Sequence, residues 1–126
     1  MESNTNITIR ILQVSDVSQS YVDWFLDKEV TKFSDNQYKK FSLDTQISYV
    51  ENCINDKDID LYGIFDRARH IGNIVIDLSD RLHGRAEISY VIGDKKYWGK
   101  GIASKAIGLI IECAKEKYSL HKLTAG

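Results

Sequence analysis

Residues 86–111, with the sequence "AEISYVIGDKKYWGKGIASKAIGLII", contain the change of pattern from which the expected architecture of this chain follows. Apolar residues first alternate with polar ones, as in a half-buried strand, and after Gly101 they recur at helical spacing. Gly99 and Gly101 stand between the two patterns, and the small residues Ala103 and Ser104 follow them. Backbone N–H groups at the start of a helix attract anions, and glycine lets an anion approach the backbone closely. The stretch therefore predicts a strand, a phosphate-binding turn and a helix.

The chain before this stretch predicts a further strand and two helices. Apolar and polar residues alternate over residues 7–11, which indicates a half-buried first strand. Ser15 or Asp16 is the expected cap of the first helix, and Ser42 is expected to open the second. Residues 29–33 favour a short helical turn between them. The apolar faces of the two helices are expected at Val17, Tyr21, Trp24 and Phe25, and at Leu43, Ile47, Val50 and Ile54.

The middle and the end of the chain indicate a sheet. Three extended runs, residues 59–66, 71–79 and 85–93, are separated only by short polar turns. Such connections favour antiparallel neighbours, because a parallel crossover needs about a dozen residues or more. Residues 102–118 carry one apolar helical face, and "HKLTAG" at residues 121–126 looks like the start of a fifth strand. The predicted fold class is α/β (α+β), with a mixed, mostly antiparallel central sheet flanked by helices.

The composition narrows the classes of function. The chain has 126 residues, with 17 Lys and Arg against 18 Asp and Glu and a formal net charge of -1. This balance gives no reason to expect a nucleic-acid partner, and no apolar run is long enough to predict a membrane span. Cys53 and Cys113 fall within apolar helical patterns, as expected in the reducing cytoplasm. A single domain over residues 1–126, located in the cytoplasm, is therefore expected.

Glycine pairs before helices also occur in dinucleotide-binding folds, but the context here disfavours that interpretation. The strand before Gly99 belongs to an antiparallel meander, and too few residues follow Gly108 for a second parallel strand with its acidic ribose partner. A helix N-terminus that needs glycine only for its backbone conformation remains the structural alternative.

The order of elements and the text of residues 86–111 resemble the GNAT superfamily of N-acetyltransferases, and "YWGKG" is similar to its ribosomal-protein N-acetyltransferase branch. The family signature, Gln/Arg-x-x-Gly-x-Gly/Ala, corresponds to residues 98–103, with Trp98 where Gln or Arg is usual. The resemblance implies the GNAT-like acyl-CoA N-acyltransferase fold. It also implies that the domain is incomplete at its C-terminus, with the last strands expected beyond residue 126.

The same resemblance implies acetyl-CoA as the cosubstrate and no metal. Backbone amides of the turn would hold the pyrophosphate, and the backbone of the preceding strand would bind the pantetheine arm. The expected cofactor-binding residues are Gly99, Lys100, Gly101, Ile102, Ala103 and Ser104 in the turn, and Val91, Ile92 and Gly93 in the strand.

Glu87 is the candidate catalytic residue. An ammonium ion has no lone pair, so an amine that attacks a thioester must first lose a proton to a base or a water relay. Alternation places Glu87 on the same strand face as Ser89 and Val91, and glutamates in a similar Ala-Glu-Ile context act as the base in several family members. A solvated charge, or an ion-pair partner of Arg85, is the alternative.

The other polar residues are weaker candidates. His70 and His83 fall in predicted turns, where a surface role is expected, and His121 could approach Glu87 only if the last strand lies beside the Glu87 strand. Cys113 is expected to be a buried structural thiol. Tyr21, Trp24 and Phe25 favour core packing over an acceptor pocket. The general acid of the family is expected beyond residue 126.

The predicted function is transfer of the acetyl group from acetyl-CoA to a primary amine of a small molecule, an amino sugar or a protein N-terminus. A catalytically inactive CoA-binding or dimerisation module with the same fold is the alternative. The resemblance also leaves a homodimer open.

Overall fold

The computed structural model describes residues 6–31, 41–118 and 122–125, which form a five-stranded sheet with helices on both faces. The strands are β1 (Ile7–Ile11), β2 (Ile59–Asp66), β3 (Arg69–Asp77), β4 (Arg85–Ile92) and β5 (Lys122–Ala125). The helices are α1 (Gln19–Leu26), α2 (Lys28–Thr31), α3 (Leu43–Asn55) and α4 (Ile102–Tyr118), and short 3-10 turns lie at Val14–Asp16, Arg81–His83 and Lys95–Tyr97.

The strands follow chain order across the sheet, β1-β2-β3-β4-β5. Each of the first three neighbouring pairs is antiparallel, as the short connections predict, whereas β5 runs parallel to β4. The parallel pair requires a crossover, which α4 supplies. The described pairing of β5 covers residues Arg85 to Ile88 of β4. The predicted mixed, mostly antiparallel sheet with a fifth strand is confirmed.

Helix α4 covers one face of the sheet. Its buried residues recur at every fourth position, at Ile102, Ala106, Ile110 and Ala114, so they form one stripe along the helix. This stripe packs on a cluster of strand residues that includes Ile74, Ile76 and Ile88. Burial of each such isoleucine side chain contributes about 1.5–3 kcal/mol to the stability of the fold. The bounds predicted for this helix are confirmed.

Helices α1 and α3 cover the opposite face, through a cluster of Tyr21, Trp24, Val50, Cys53, Leu61 and Phe65. The predicted face of α3 is partly wrong. The helix buries Gln46, Val50 and Cys53, whereas Leu43 and Ile54 are exposed to 42% and 52%. The expected opening residue is confirmed, because the Ser42 hydroxyl accepts a hydrogen bond from the Thr45 N–H.

The predicted start of the first helix is wrong. Ser18, not Ser15 or Asp16, caps α1, and its hydroxyl accepts a hydrogen bond from the Tyr21 N–H at 3.2 Å. Asp16 is instead engaged by the Arg10 guanidinium, with both N···O distances at 2.8 Å. This ion pair lowers the pKa of Asp16. The short helix α2 covers Lys28–Thr31, and the rest of the helical turn predicted at residues 29–33 lies outside the described ranges.

The predicted turn at residues 67–70 is too long. Strand β3 begins at Arg69, and only Arg67 and Ala68 separate it from β2. Arg67 adopts the left-handed conformation that such a tight turn requires, with φ of 54°. Ile71 is the extra residue of a β-bulge, because Ile64 lies opposite Gly72 while Phe65 lies opposite His70.

Candidate functional site

The turn between β4 and α4 has a backbone conformation that favours glycine. Gly99 and Gly101 have φ of 76° and 73°, in the left-handed region that costs other residues about 1–2 kcal/mol. A Cβ built at either glycine would meet no heavy atom within 4 Å. The two glycines therefore serve the backbone conformation, and the space in front of them is open.

The N-terminus of α4 presents backbone N–H groups to this space. The Lys105 N–H donates to the Gly101 carbonyl at 3.2 Å, which is the first hydrogen bond of the helix. The N–H groups of Ile102, Ala103 and Ser104 precede that bond, and they donate to no backbone acceptor in the described ranges. The helix dipole adds a partial positive charge at the same place. An anion could bind here through the backbone.

The side chains of this turn point in different directions. Ile102 is buried in the core under α4, with 4% of its surface exposed, and it anchors the start of the helix. Lys100 and Ser104 are exposed, and the Lys100 ammonium lies 6.0 Å from the centre of the Tyr97 ring. The predicted turn residues 99–104 thus share one short segment, with open space at its two glycines and one buried side chain, Ile102.

Sequence reasoning missed the contacts that hold the turn in place. The Asp94 carboxylate accepts from the Lys96 N–H at 3.1 Å and from the Arg69 guanidinium at 2.8 Å. The Tyr97 hydroxyl donates to the Asp66 carboxylate at 2.6 Å, and this hydrogen bond raises the pKa of Tyr97. An aspartate before a short polar turn is a recognisable capping signal for Asp94. The partners 25 and 31 residues away have no such local signal.

Two further contacts tie the turn to other parts of the fold. The Lys95 ammonium forms ion pairs with Asp27 at 2.8 Å and Glu29 at 2.9 Å, and these hydrogen bonds raise the pKa of Lys95. The indole N–H of Trp98 donates to the Ile92 carbonyl at 2.8 Å. The turn is therefore attached to α2, to the loop before it, and to the end of β4.

The end of β4 presents only part of its backbone at the edge remote from β3. The Gly93 N–H donates to the Ile71 carbonyl at 2.9 Å, and Val91 lies opposite Asn73. Because backbone groups alternate between the two edges of a strand, the groups of Val91 point towards β3 and those of Ile92 point away from it. Of the predicted pantetheine-binding residues, Ile92 is the one whose N–H and carbonyl lie at the edge remote from β3, where the carbonyl accepts from the Trp98 indole.

Gly93 has a packing role as well. A Cβ at this position would overlap the Trp24 ring, so the backbone of the strand end lies directly against α1. Trp24 is buried, and its ring lies 5.3 Å from the Tyr21 ring. Tyr21 and Trp24 therefore belong to the core, as their spacing favours.

Glu87 is exposed on β4, on the sheet face that carries α1 and α3 elsewhere. It lies opposite Asp77 of β3 and beside Thr124 of β5. The pKa of Asp77 is lowered by hydrogen bonds from Ser79, mainly from its backbone N–H and to a smaller extent from its side chain. The two strands therefore place two acidic side chains opposite each other. Arg85 pairs with Asp80 at 3.8 Å, and no described side chain forms an ion pair with Glu87.

The surface role predicted for His70 is wrong, because the bulge at Ile71 turns its ring into the sheet face under α1. The ring stacks on Phe65, with centroids 5.0 Å apart, and lies 4.7 Å from the Trp24 ring. Its Nε2 lies 2.7 Å from the Asn73 side-chain oxygen, and burial lowers the pKa of His70. The Asn73 amide N–H in turn donates to the Tyr21 hydroxyl at 3.0 Å, where burial raises the pKa of Tyr21 to about 12.

Two of the remaining candidates, His83 and Cys113, are in the described ranges and lie outside the turn of residues 99–104. His83 is exposed and lies 2.6 Å from the Asp80 carboxylate, as a surface role predicts. The Cys113 sulfur is half-buried, 3.6 Å from the Tyr62 hydroxyl. His121 lies outside the described residues, although β5 does lie beside the Glu87 strand.

The described ranges lack two features, a cluster of metal-binding side chains and a membrane-spanning helix. Residues 6–31, 41–118 and 122–125 contain no cluster of three or more His, Cys, Asp or Glu side chains that could hold a metal ion. In the same part of the chain, no helix combines the length and apolar character needed to cross a membrane.

Comparison with known proteins shows what the whole arrangement resembles. A family model described as an acetyltransferase (GNAT) domain matches residues 6–126. The uncharacterized N-acetyltransferase p20 of Bacillus licheniformis is 29% identical over 128 residues, which span 94% of this chain and 68% of that protein.

Solved structures with a similar fold include two enzymes in complex with coenzyme A. RimL, a ribosomal L7/L12 alpha-N-protein acetyltransferase, is 18% identical with a TM-score of 0.79, over 98% of this chain and 71% of its own. Spermidine N-acetyltransferase from Vibrio cholerae, solved with CoA and spermine, is 20% identical with a TM-score of 0.78, over 94% of this chain and 69% of its own.

Proposed function

The chain belongs to the GNAT acetyltransferase family, and from this membership we propose that it binds acetyl-CoA and transfers the acetyl group to a primary amine. The observation that carries the proposal is the turn between β4 and α4. Two glycines with positive φ leave open space in front of the unpaired N–H groups that begin α4. That arrangement suits a pyrophosphate, which needs several N–H donors and close backbone approach.

In this proposal the backbone from Gly99 to Ser104 holds the pyrophosphate, and the end of β4 from Val91 to Gly93 binds the pantetheine arm. The Ile92 N–H supports the second contact, because it faces the edge of the strand remote from β3. We also propose that residues 1–126 belong to a single GNAT-like domain. The thiols of Cys53 and Cys113 are free, which supports a reducing, cytoplasmic setting.

Glu87 is the proposed general base. Its carboxylate, directly or through a water molecule, removes a proton from the acceptor ammonium ion. The nitrogen lone pair then attacks the thioester carbonyl carbon and forms a tetrahedral intermediate. When this collapses, the C–S bond breaks and the electron pair leaves with the CoA sulfur as a thiolate. The nitrogen releases its second proton, to the thiolate or to solvent, and a neutral amide remains.

The surroundings of Glu87 favour an acceptor that arrives as a cation. Asp77 lies directly opposite on β3, so two carboxylates share one part of the sheet face. Negative potential there attracts ammonium groups and repels carboxylates. Primary amines of small molecules, amino sugars and protein N-termini all meet this requirement.

Thermal unfolding with added ligand tests the cofactor assignment. A ligand that binds only the folded chain stabilises it by about 2.7 kcal/mol at a hundred times its Kd. CoA and acetyl-CoA should therefore raise the unfolding temperature, whereas NAD should not. Equal protection by NAD, or no protection by CoA, would refute the assignment.

Turnover needs a separate assay with acetyl-CoA and a panel of primary amines, read by the mass of the acetylated product and by released thiol. Product with at least one amine supports the enzyme. Protection by CoA without product from any amine would instead favour an inactive CoA-binding module.

A further inference from the structure

Trp98 occupies the first position of the signature, where Gln or Arg is usual, and it differs from both in shape while it keeps an N–H donor. All three side chains carry an N–H donor at their end. The Trp98 indole N–H donates to the Ile92 carbonyl at 2.8 Å, across the corner between the end of β4 and the turn. The substitution therefore keeps a donor while it changes the shape of the side chain.

We propose that Trp98 is a positioning residue for the cofactor, through the hydrogen bond from its indole N–H to the Ile92 carbonyl. The inference rests on the proposed function, because it concerns the same binding turn. Trp98 follows the 3-10 turn Lys95–Tyr97 and directly precedes Gly99, which has positive φ. Its hydrogen bond therefore ties the residue in front of the glycines back to the end of β4 and holds the glycine segment against the strand.

The same bond restricts what the strand edge can offer a ligand. The backbone of Ile92 faces the edge remote from β3, and its carbonyl is already occupied by the indole. The Ile92 N–H and the Tyr90 carbonyl are on the same edge by alternation. A pantetheine amide at this edge would therefore pair with those two groups rather than with the Ile92 carbonyl.

The exposure of Trp98 argues that the hydrogen bond matters more than apolar packing. The residue is 41% exposed, and it is not among the buried residues of either core cluster. Substitutions at such a position should leave the fold intact. Effects on ligand binding can then be separated from effects on stability.

The experiment compares Trp98→Phe with Trp98→Gln by calorimetric titration with CoA. Phe keeps the aromatic shape without a donor, whereas Gln restores a donor without the ring. Loss of one hydrogen bond should weaken CoA binding about three- to tenfold in Trp98→Phe. Trp98→Gln should bind CoA within about twofold of the wild-type chain, since one hydrogen bond is retained.

Kinetics and stability add two readouts that a purely structural role would not produce. In Trp98→Phe the KM for acetyl-CoA should rise while kcat at saturation stays close to wild type. The unfolding temperature of both variants should stay close to that of the wild-type chain. Tyr49→Phe is the matched control, because Tyr49 is also 41% exposed but lies on α3.

Three results would overturn the proposal. One is equal CoA affinity in Trp98→Phe and the wild-type chain, and another is tighter binding by Trp98→Phe than by Trp98→Gln, which would assign the role to the ring. The third is an equal loss of affinity in Tyr49→Phe. A wild-type chain that binds no CoA would refute the proposed function itself, and that outcome is distinct from the other three.

Discussion

Replacement of Gly101 by alanine separates the conformational role of this glycine from its proposed role in binding. Gly101 has φ of 73°, and an added Cβ would meet no heavy atom within 4 Å. In the ligand-free chain the methyl group therefore causes backbone strain but no clash. In the complex it would stand between the backbone and the approaching pyrophosphate.

The size of the two effects follows from this geometry. An alanine in the left-handed region costs about 1–2 kcal/mol, partly offset by the lower entropy of the unfolded chain. The free energy of unfolding should therefore fall by about 1 kcal/mol, which lowers the unfolding temperature by roughly 3–6 °C for a chain of this size. Affinity for CoA should fall by more than about tenfold, because a charged group loses close approach to several N–H donors.

Gly108→Ala is the matched control, since it adds the same methyl group to the same helix. Gly108 lies within α4, and its Cβ would also meet open space. Alanine in a helix interior stabilises by about 0.5–1 kcal/mol relative to glycine. The control should therefore unfold at a higher temperature than the wild-type chain and bind CoA with unchanged affinity.

Urea titration gives the stability of both variants, and calorimetric titration gives their affinity for CoA. A Gly101→Ala chain that loses stability yet binds CoA as tightly as wild type would show that the methyl group meets no ligand. The turn would then need glycine for its own conformation alone, and the cofactor would have to bind elsewhere.

Three other substitutions test separate parts of the site. Gly93→Ala forces a methyl group into the Trp24 ring and should lower the free energy of unfolding by about 1–3 kcal/mol or more in urea titration; unchanged stability would contradict the packing described. Glu87→Gln should lower turnover by about two to four orders of magnitude, and the loss should become smaller as pH rises. Its stability should stay equal or rise slightly, because repulsion from Asp77 is removed, and an unchanged pH–rate profile would exclude Glu87 as the base. Burial lowers the pKa of His70, so as pH falls below about 6.5 the unfolded chain binds a proton at this residue before the folded chain does, and the free energy of unfolding decreases. In urea titrations between about pH 7.5 and pH 5.5, His70→Gln should reduce this pH dependence of the free energy of unfolding, and an unchanged dependence would assign it to another group.

Local patterns predict most of the fold because they depend on near neighbours in the chain. The alternation at the start of β4 and the stripe of α4 each result from burial of one face, so periodicity identifies them. Strands β2 and β3 are buried on both faces, and their apolar runs between short polar turns identify them instead. The start of α1 was harder to predict because Ser15, Asp16 and Ser18 can all cap a helix. The Asp16 carboxylate accepts from the Arg10 guanidinium and from the Gln13 N–H, so it caps the short 3-10 turn Val14–Asp16, and the cap of α1 is Ser18.

The candidate site divides in the same way. Glycine spacing predicts the phosphate-binding turn, because the left-handed conformation is a local requirement. The contacts of Arg69 with Asp94 and of Lys95 with Glu29 join residues that are far apart in the sequence and meet only in the folded chain. The contact of Trp98 with Ile92 spans only six residues. The inward turn of His70 depends on a bulge, for which a single sequence gives no periodic signal.

That bulge connects the core to the binding turn. The carbonyl of the bulged residue Ile71 accepts two hydrogen bonds, from the Gly93 N–H at 2.9 Å and from the Asp94 N–H at 3.2 Å. Both donors lie where β4 ends, so the bulge stops the strand pairing and directs the chain into the turn. The ion pairs of Lys95 are exposed and contribute little by comparison. The Ile71 carbonyl therefore holds the start of the turn, and the uncharged hydrogen bond of Trp98 holds the segment before the glycines. High salt should accordingly weaken CoA binding only because it screens the charge of the ligand.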